Sequence, residues 1–413
     1  MIILYKFGIF FYALAVRLFS VFNEKANLFV KGRKNWKQNL SQKIETGQRY
    51  IWFHCSSLGE FEQGRPVIEE LKKRHPEYKI VLTFFSPSGY QIRKNYELAD
   101  VVSYIPLDTK RNAQAFLDLV NPEKAFFIKY EFWYFFVTEL KNRQIPLYIV
   151  SAIFREKQQF FKNTVWGRWY RKILFQIEHL FVQNEESGAL LKSIGIANYT
   201  VSGDTRFDRV STIAKSSREI PILEKFQKNS LLIIAGSTWK PDEELFIEFI
   251  NQSEEGIKFI IAPHEVSDLN INRIQQMLKK TTLLFSSAKE SNVESCDVLI
   301  IDSVGLLSSM YRYGKIAYIG GGFGVGIHNI LEAATFGLPV IFGPNYKKFK
   351  EAVDLAFEGG AFPISNFKDL RHVLNKLINE EDSIKKASYV CQNYVEKNVG
   401  STKLIIKKVF NNP

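Results

Sequence analysis

The chain has 413 residues and a formal net charge of +12, from 55 Lys and Arg against 43 Asp and Glu. That length exceeds one ordinary hydrophobic core and predicts two domains, while 46% hydrophobic residues exclude a disordered chain. The three cysteines have no Cys-x-x-Cys spacing, which argues against a disulfide framework and fits a reducing cytoplasm.

The N-terminal region is apolar over residues 1–22 and basic afterwards. Residues 1–50 hold nine Lys or Arg and two Asp or Glu, a charge of +7 that predicts an anionic partner. The uninterrupted apolar stretch Phe7–Val16 is shorter than the roughly 20 residues of a bilayer span. We predict that residues 1–30 associate with a membrane, either spanning it or lying on it, and that "KGRK" at 31–34 keeps the rest of the chain cytoplasmic. A buried first helix is the alternative.

From residue 50 the chain alternates short β-branched or aromatic runs with segments of helical periodicity. This rhythm is typical of a parallel sheet with helices on both faces. The predicted strands of the first half are Tyr50–His54, Lys79–Phe84, Val101–Ile105, Lys124–Ile128, Pro146–Ser151 and Leu180–Gln183. Those of the second half are Leu231–Ala235, Lys258–Ala262, Asp297–Ile301, Lys315–Ile319 and Pro339–Phe342.

The alternation breaks at residues 203–230, which are polar and poor in strand formers, as an interdomain linker would be. We therefore predict an N-terminal Rossmann-like domain over 31–205, a linker over 206–230 and a C-terminal Rossmann-like domain over 231–413. In such α/β sheets ligands bind outside the carboxyl ends of the strands, so a cleft between the two domains is the expected site.

A glycine-rich turn is the strongest local signal. The predicted strand Lys315–Ile319 runs into five glycines within residues 320–326, and a helix is predicted from His328-Asn329 to about Phe336. Glycines let a backbone approach a ligand, and a helix N-terminus favours phosphate. No Gly-Lys-Ser/Thr follows, so this is not a Walker A motif, and it is a poor dinucleotide fingerprint. The alternative is a plain turn in which Asn329 caps a helix.

Candidate donor-binding residues follow three other strands of the second half. They are Ser237 and Thr238, then Pro263 and His264, then the segment from Asp302 to Leu306. Each position fits a nucleotide site, but helix capping by Ser or Thr and a structural His remain open as alternatives.

Three charged residues follow strands in the first half. Glu60 comes after Tyr50–His54, where Gly59 allows a tight turn, and a carboxylate at that point is suited to take a proton from an acceptor hydroxyl. The alternative is a first-turn Glu that complements the helix dipole. Glu131 and Arg206 occupy comparable places. No HxH, HExxH or DxD occurs, so neither a metal nor a cofactor is expected.

In its ordered motifs, the chain resembles the transferases of 3-deoxy-D-manno-octulosonic acid (Kdo) in lipopolysaccharide synthesis. The resemblance extends over nearly the whole length. It rests on "KGRK", "HCSSLGEFEQGRPVI", "YEFW", "GDTRFD", "AGSTW", "APHE", "DSVGLL" and "GGGFGVGIHNILEAATFGLPVIFGP".

This resemblance implies the GT-B fold and an inverting transfer of Kdo from CMP-Kdo to an anionic lipid A precursor, lipid IVA, at the cytoplasmic face of the inner membrane. It makes Glu60 the catalytic base, with Glu131 and Arg206 stabilising the transition state. The donor positions that it implies, together with the strand-end and glycine-turn residues above, are Ser237, Thr238, Pro263, His264, Val304, Gly305, Leu306, Gly322, Gly324, Asn329, Ile330, Leu331 and Glu332.

The chain departs from the family pattern at several of these positions. Asp204 replaces an Asn, and Arg206 replaces a Lys. Pro263 stands where the family has an Arg, which removes a phosphate-binding charge that Lys240 or a helix N-terminus would have to replace. Leu306 replaces a Glu.

Two other functions remain as alternatives. One is a different GT-B enzyme that uses a UDP-sugar, either a transferase or an epimerase. The other is a non-enzymatic basic protein that binds membrane or nucleic acid. That last class accounts for the charge but not for the glycine turn, so no nucleic-acid partner is expected.

Overall fold

The chain forms two compact units, each built on its own parallel sheet. The computed structural model describes residues 1–217 and 219–410. Unit 1 comprises Met1–Arg209 with Gly400–Pro413, and unit 2 comprises Val210–Val399. Each unit has a seven-stranded sheet whose strands are all parallel and alternate with helices. The predicted α/β class with two Rossmann-like domains is confirmed.

The sheet of unit 1 has the strand order β3-β2-β1-β4-β5-β6-β7. Its central strands are buried on both faces, which explains why they consist of continuous apolar runs. The strands are β1 Tyr50–Cys55, β2 Lys79–Phe84, β3 Val101–Tyr104, β4 Lys124–Ile128, β5 Leu147–Ala152, β6 His179–Val182 and β7 Tyr199–Val201. The helices are α1 Ile2–Phe19, α2 Glu24–Arg33, α3 Trp36–Ser41, α4 Leu58–Arg74, α5 Pro87–Arg93, α6 Lys110–Val120, α7 Tyr134–Asn142, α8 Val165–Leu174 and α9 Glu185–Ser193.

The sheet of unit 2 has the order β10-β11-β9-β8-β12-β13-β14. Its strands are β8 Leu231–Thr238, β9 Ile257–Pro263, β10 Thr282–Leu284, β11 Val298–Ile300, β12 Ile316–Ile319, β13 Val340–Phe342 and β14 Ala361–Pro363. The helices that follow β7 along the chain are α10 Thr205–Ser216, α11 Pro221–Gln227, α12 Lys240–Gln252, α13 Asp268–Met277, α14 Leu307–Met310, α15 Leu331–Ala334, α16 Lys350–Glu358, α17 Phe367–Asn379, α18 Glu381–Asn398 and α19 Ser401–Phe410.

The domain limits differ from the sequence prediction at the C-terminus. The predicted second domain runs to residue 413, but α19 belongs to unit 1, where Ile405, Ile406 and Val409 are buried in the core cluster that also holds residues of α4. The carboxylate of Asp208 fixes this return, because it accepts hydrogen bonds from the backbone N–H groups of Gly400 at 2.7 Å and Thr402 at 2.8 Å. The predicted linker 206–230 consists largely of α10 and α11.

Helix α1 is apolar and mostly exposed. It has no buried residue, so the alternative of a buried first helix is wrong. Only a narrow stripe at helical spacing is half-buried, namely Tyr5, Ile9, Ala13 and Val16. Its 18 residues have a mean hydropathy of 1.8. At about 1.5 Å per residue, the helix is long enough, and apolar enough, to cross a membrane by length and composition.

The basic segment after α1 does not present all its cations to solvent. Lys31 and Lys34 are exposed, but the Arg33 guanidinium packs over the Phe29 ring at 3.6 Å and donates to the backbone oxygen of Phe85 at 2.7 Å. Arg33 therefore holds α2 against the rest of unit 1, and only part of "KGRK" is available to an anionic surface.

Candidate active site

Glu60 lies in the first turn of α4, directly after strand β1. The Ser57 hydroxyl caps this helix and accepts a hydrogen bond from the Glu60 backbone N–H at 3.4 Å. The Glu60 carboxylate in turn accepts one from the backbone N–H of Ser56. The prediction that Gly59 hinges a turn is wrong, because Gly59 is the second residue of α4, and a Cβ at that position would meet no atom within 4 Å. The space beside the Gly59 backbone, next to Glu60, is therefore unoccupied by other protein atoms.

Glu131 follows strand β4 and is nearly buried, with 8% of its surface exposed. The Trp133 indole Nε1–H donates to its carboxylate at 2.7 Å, and Nε2 of His54 lies 3.3 Å from the same oxygen. Burial, and then the charge of Glu131, raise the pKa of Glu60 to about 8, although the Ser56 N–H and the Lys129 charge oppose this. The structure thus brings Glu60 and Glu131 into one electrostatic site.

A cavity of about 330 Å³ opens beside Glu131. Its lining combines aromatic rings with two polar side chains, a composition typical of small-molecule sites. Tyr5 belongs to α1, so the exposed apolar helix supplies part of this wall. The lining residues are Tyr5, Tyr130, Glu131, Phe132, Trp133, Gln158, Phe160 and Tyr170.

Arg206 lies at the start of α10 in unit 1, where Asp204 holds it. Nε and Nη2 of Arg206 contact the Asp204 carboxylate at 2.9 and 2.8 Å, and its backbone N–H donates to the same group at 2.9 Å. Gln63 of α4 donates to Asp204 at 3.0 Å. The Arg206 charge keeps the pKa of the buried Asp204 low despite its desolvation. The Asp that departs from the family pattern is therefore the ionic partner of Arg206.

The predicted donor residues lie in unit 2, at the carboxyl ends of β8, β9, β11 and β12. At the end of β8, Ser237 has a left-handed φ of 54°. Gly320 crosses it so closely that a Cβ would come within 2.3 Å of the Ser237 backbone oxygen. Thr238 is 1% exposed, and its hydroxyl donates to Glu243 at 3.0 Å. The Thr238 side chain thus helps to fix α12 against the end of β8.

Three rings stack where these strand ends meet. The Trp239 and His264 ring centroids lie 4.4 Å apart with an interplanar angle of 24°, and His264 stacks on His328 at 4.6 Å. The Trp239 indole N–H donates to Nε2 of His328 at 3.1 Å. Pro263 is buried at the end of β9, whereas His264 is exposed. Desolvation and the neighbouring His264 lower the pKa of His328, which favours its neutral form as the acceptor of this bond.

Glu332 connects two of the predicted donor segments. Its carboxylate accepts hydrogen bonds from Ser308 at 2.6 Å and from the Asn329 amide at 3.1 Å. Ser308 follows the exposed loop that contains Val304 and Gly305, and Leu306 is half-buried beside it. Ile330 and Leu331 are buried, with 1% and 0% of their surfaces exposed, so their side chains belong to the core.

The glycine turn is folded tightly on itself and on the sheet. The N–H groups of Gly324 and Gly326 donate to the backbone oxygen of Gly321, and the N–H of Gly321 donates to Asp242 of α12 at 2.9 Å. A Cβ on Gly322 would come within 2.6 Å of the Gly343 backbone. The helix predicted to about Phe336 is wrong in length, because α15 spans only Leu331–Ala334. A helix of one turn has only a small dipole, so it adds little attraction for a phosphate at this turn.

Sequence reasoning missed several partners of the predicted residues. His54 and Trp133 contact Glu131, while Trp239, Asp242 and Ser308 organise the donor segments. His54 and Trp133 occur inside the quoted motifs, but only the pairing of strands reveals their contacts. Within residues 1–217 and 219–410, no cluster of three or more His, Cys, Asp or Glu is arranged to hold a metal ion.

Comparison with known sequences matches this chain to Kdo transferases. A family model described as 3-deoxy-D-manno-octulosonic-acid transferase (kdotransferase) matches residues 34–209. The Kdo transferase of Aquifex aeolicus (strain VF5) is 27% identical over 357 residues, which cover 84% of this chain and 92% of that protein. The Haemophilus influenzae enzyme is 26% identical and covers 81% of this chain and 80% of that protein. The predicted family resemblance is confirmed, and these homologues indicate a glycosyltransferase.

Comparison with solved structures supports the fold alone. UDP-GlcNAc 2-epimerase from Neisseria meningitidis, bound to UDP-GlcNAc, aligns with a TM-score of 0.63 at 18% identity, covering 88% of this chain and 100% of that one. The Methanocaldococcus jannaschii UDP-GlcNAc 2-epimerase aligns with a TM-score of 0.54 at 15% identity over the same shares of the two chains. These similarities confirm the GT-B architecture and carry no information about the substrate.

Proposed function

We propose that this relative of the Kdo transferases is an inverting glycosyltransferase that moves Kdo from CMP-Kdo to a lipid A precursor, lipid IVA, in lipopolysaccharide biosynthesis. One observation carries the proposal. Glu60 lies in the motif that the family uses for its catalytic base, and burial, followed by the charge of Glu131, raises its pKa to about 8, in the range of a general base.

In the proposed reaction, the Glu60 carboxylate takes the proton of an acceptor sugar hydroxyl. The deprotonated hydroxyl oxygen attacks the anomeric carbon of Kdo with its electron pair. The bond from that carbon to the CMP phosphate oxygen breaks. The electron pair of that bond leaves with CMP, and attack from the opposite face inverts the centre. Glu131 and Arg206 act on the charges that develop in this transition state.

The donor segments of unit 2 supply the groups that a nucleotide sugar requires. The carboxylate of Glu332, held by Asn329 and Ser308, is an acceptor for sugar hydroxyls. The stacked rings of Trp239 and His264 offer a face to a base, and the exposed Lys240 takes the place of the Arg that Pro263 replaces. Because α15 is short, we assign the phosphate to these side chains rather than to a helix dipole.

The cavity beside Glu131, where we place the acceptor substrate, suits a lipid with a sugar head group. The cavity beside Glu131 has aromatic walls with a carboxylate and the Gln158 amide among them, so it offers apolar faces and hydroxyl partners together. Tyr5 of α1 lines this cavity, and the opposite faces of α1 are apolar and exposed. A helix that binds the inner membrane from its cytoplasmic side would thus bring a membrane lipid to Glu60.

A UDP-sugar enzyme, either a transferase or an epimerase, is the second candidate, because the GT-B fold by itself does not distinguish a UDP-sugar from CMP-Kdo. Thermal unfolding with a panel of nucleotides separates the two functions. We expect CMP to raise the Tm, because a ligand at 100 times its Kd stabilises the folded state by about 2.7 kcal/mol. UDP should leave the Tm unchanged. Stabilisation by UDP and not by CMP would favour the second candidate.

A further inference from the structure

A chain of hydrogen bonds runs through the buried core of unit 1 and ends at Glu131. Strands β1 and β2 pair with His54 opposite Thr83. The Trp52 indole N–H donates to the Thr83 hydroxyl oxygen at 2.8 Å, and that oxygen lies 2.9 Å from Nδ1 of His54. Nε2 of His54 lies 3.3 Å from the Glu131 carboxylate. His54 and Thr83 have no exposed surface, so water does not compete for these bonds.

The hydrogen bonds of this series all donate in the direction of Glu131. An indole N–H only donates, so the Thr83 oxygen accepts from Trp52, and the Thr83 proton is free for another acceptor. Nδ1 of His54 at 2.9 Å is a nearer acceptor than the Phe53 backbone oxygen at 3.4 Å. A neutral imidazole whose Nδ1 accepts carries its proton on Nε2. That N–H then faces the Glu131 carboxylate.

The opposite tautomer fits the site poorly. It would place the bare Nε2 lone pair 3.3 Å from a carboxylate oxygen, so two acceptors would face each other inside the core. The Trp133 indole N–H contacts both acceptors, Nε2 of His54 at 3.1 Å and the Glu131 carboxylate at 2.7 Å, so in that tautomer one N–H would have to serve both. The shorter distance assigns this N–H to Glu131, which leaves the bare Nε2 without a full donor.

We propose that His54 is a positioning residue that donates from Nε2 to Glu131, holds Glu131 as an oriented carboxylate, and so leaves Glu60 as the member of the pair that exchanges the proton. This inference rests on the proposed function, in which Glu60 is the base. Two N–H donors, from His54 and Trp133, then hold one oxygen of the Glu131 carboxylate and orient that group beside Glu60.

Other groups face this pair from the surrounding elements, and they stay constant in the test. Lys129 follows β4 and its charge acts on Glu60. Tyr130 is the next residue in the sequence, and the charge of Glu60 raises its pKa after burial does. Burial, and then the charges of Glu60, Glu131 and Glu62, raise the pKa of the Cys55 thiol of β1. Substitution of His54 alters none of these side chains.

The first test compares the pH profiles of kcat/KM for Kdo transfer in His54→Leu and His54→Gln. Gln retains an N–H donor near the Nε2 position, whereas Leu removes it. For His54→Leu we expect at least a tenfold loss at pH 7 and an acid limb about one pH unit higher than in the wild type, because the doubly ionised pair loses a donor. His54→Gln should stay within a few tenths of a unit of the wild type. A loss that is equal at every pH, or no rescue by Gln, would overturn the proposal.

The second test needs no activity and therefore separates this inference from the proposed function. Nitrogen-15 NMR of histidine-labelled wild-type protein, with His54→Gln used to identify the signal, reports the tautomer of His54 directly. We expect a protonated Nε2 and a bare Nδ1, and Thr83→Val should remove this preference. A protonated Nδ1 in the wild type would contradict the assigned direction of these hydrogen bonds, even if Kdo transfer is observed. Absence of Kdo transfer with the expected tautomer would instead count against the proposed function.

Discussion

Glu60 and Glu131 are neighbouring carboxylates, and the charge of Glu131 is the second cause, after burial, that raises the pKa of Glu60 to about 8. The two residues lie 71 positions apart in the sequence (131 minus 60), at the ends of adjacent strands β1 and β4. The nearby negative charge makes Glu60 hold its proton more tightly than an isolated Glu would.

The first prediction concerns the pH dependence of transfer. The base must be ionised to accept a proton, so kcat/KM should rise with pH through an apparent pKa near 8, with about one tenth of the free enzyme active at pH 7. Rates measured from pH 6 to 9.5 at constant ionic strength check this. A profile that is flat above pH 5.5 would show that an unshifted carboxylate, or no carboxylate, is the base.

The second prediction concerns the removal of the base itself. Glu60→Ala should lower kcat for Kdo transfer by about 10²- to 10⁴-fold while CMP binding and folding persist, because the donor segments belong to unit 2. A radiolabelled-Kdo transfer assay measures this. Glu62→Gln is the matched control, since Glu62 lies on the same helix but pairs with Arg93 at 2.8 Å. Substantial turnover by Glu60→Ala would remove the base assignment.

The third prediction concerns stability. The pKa of Glu60 is raised from 4.5 in the unfolded chain to about 8 in the folded protein, so the folded state binds more protons between these values. The Glu60 contribution to stability is therefore lost as the pH rises from about 5 to 8. Glu60→Gln cannot ionise and lacks this loss, so its stability relative to the wild type should be clearly higher at pH 8 than at pH 4.5. Urea unfolding at the two pH values measures the difference. An equal difference at both would contradict the shift.

The fourth prediction concerns helix α1. Replacing Phe7, Phe11, Leu14 and Leu18 by Ser removes exposed apolar side chains and leaves intact the inward stripe with Tyr5. The variant should keep its Tm but lose most of its sedimentation with anionic lipid vesicles, since each exposed apolar side chain adds to membrane affinity. Lys31→Gln with Lys34→Gln should weaken binding only modestly. If the Ser variant sediments like the wild type, α1 is not the membrane-binding element.

The fifth prediction concerns the donor segments. Glu332→Gln places an amide N–H₂ where both Asn329 and Ser308 donate, so one of the three groups loses its partner. We expect the KM for CMP-Kdo to rise about tenfold, with a smaller change in the Tm. Glu265→Gln, at an exposed position of the same unit, is the control. An unchanged KM would exclude Glu332 from the donor site.

The sequence predicts the core of both sheets well, because strands that are buried on both faces are continuous apolar runs. It misses β7, β10 and β14, which are edge strands of three residues with partly exposed side chains. It also predicts too long a helix after the glycine turn, since α15 ends at Ala334 and Gly337 takes a positive φ of 72° three residues later.

The sequence likewise predicts some residues of the candidate site but not the contacts between them. The motifs identify Glu60, Glu131 and the donor positions, since a polar residue after a strand is visible in one sequence. They cannot identify His54 as a partner of Thr83 and Glu131, because that contact depends on the register between β1 and β2 and on the adjacency of β1 and β4. The return of α19 to unit 1 depends on the contact of Asp208 with Thr402, 194 residues later, which no local pattern reveals.

The most direct test of the central claim is the mass of the lipid product after incubation of the purified protein with CMP-Kdo and lipid IVA. We predict that the lipid gains the mass of one or more Kdo residues, that CMP is released in equal amount, and that Glu60→Ala forms this product at least about 10² times more slowly. An unchanged lipid mass under conditions in which the protein is folded and binds CMP would contradict the account.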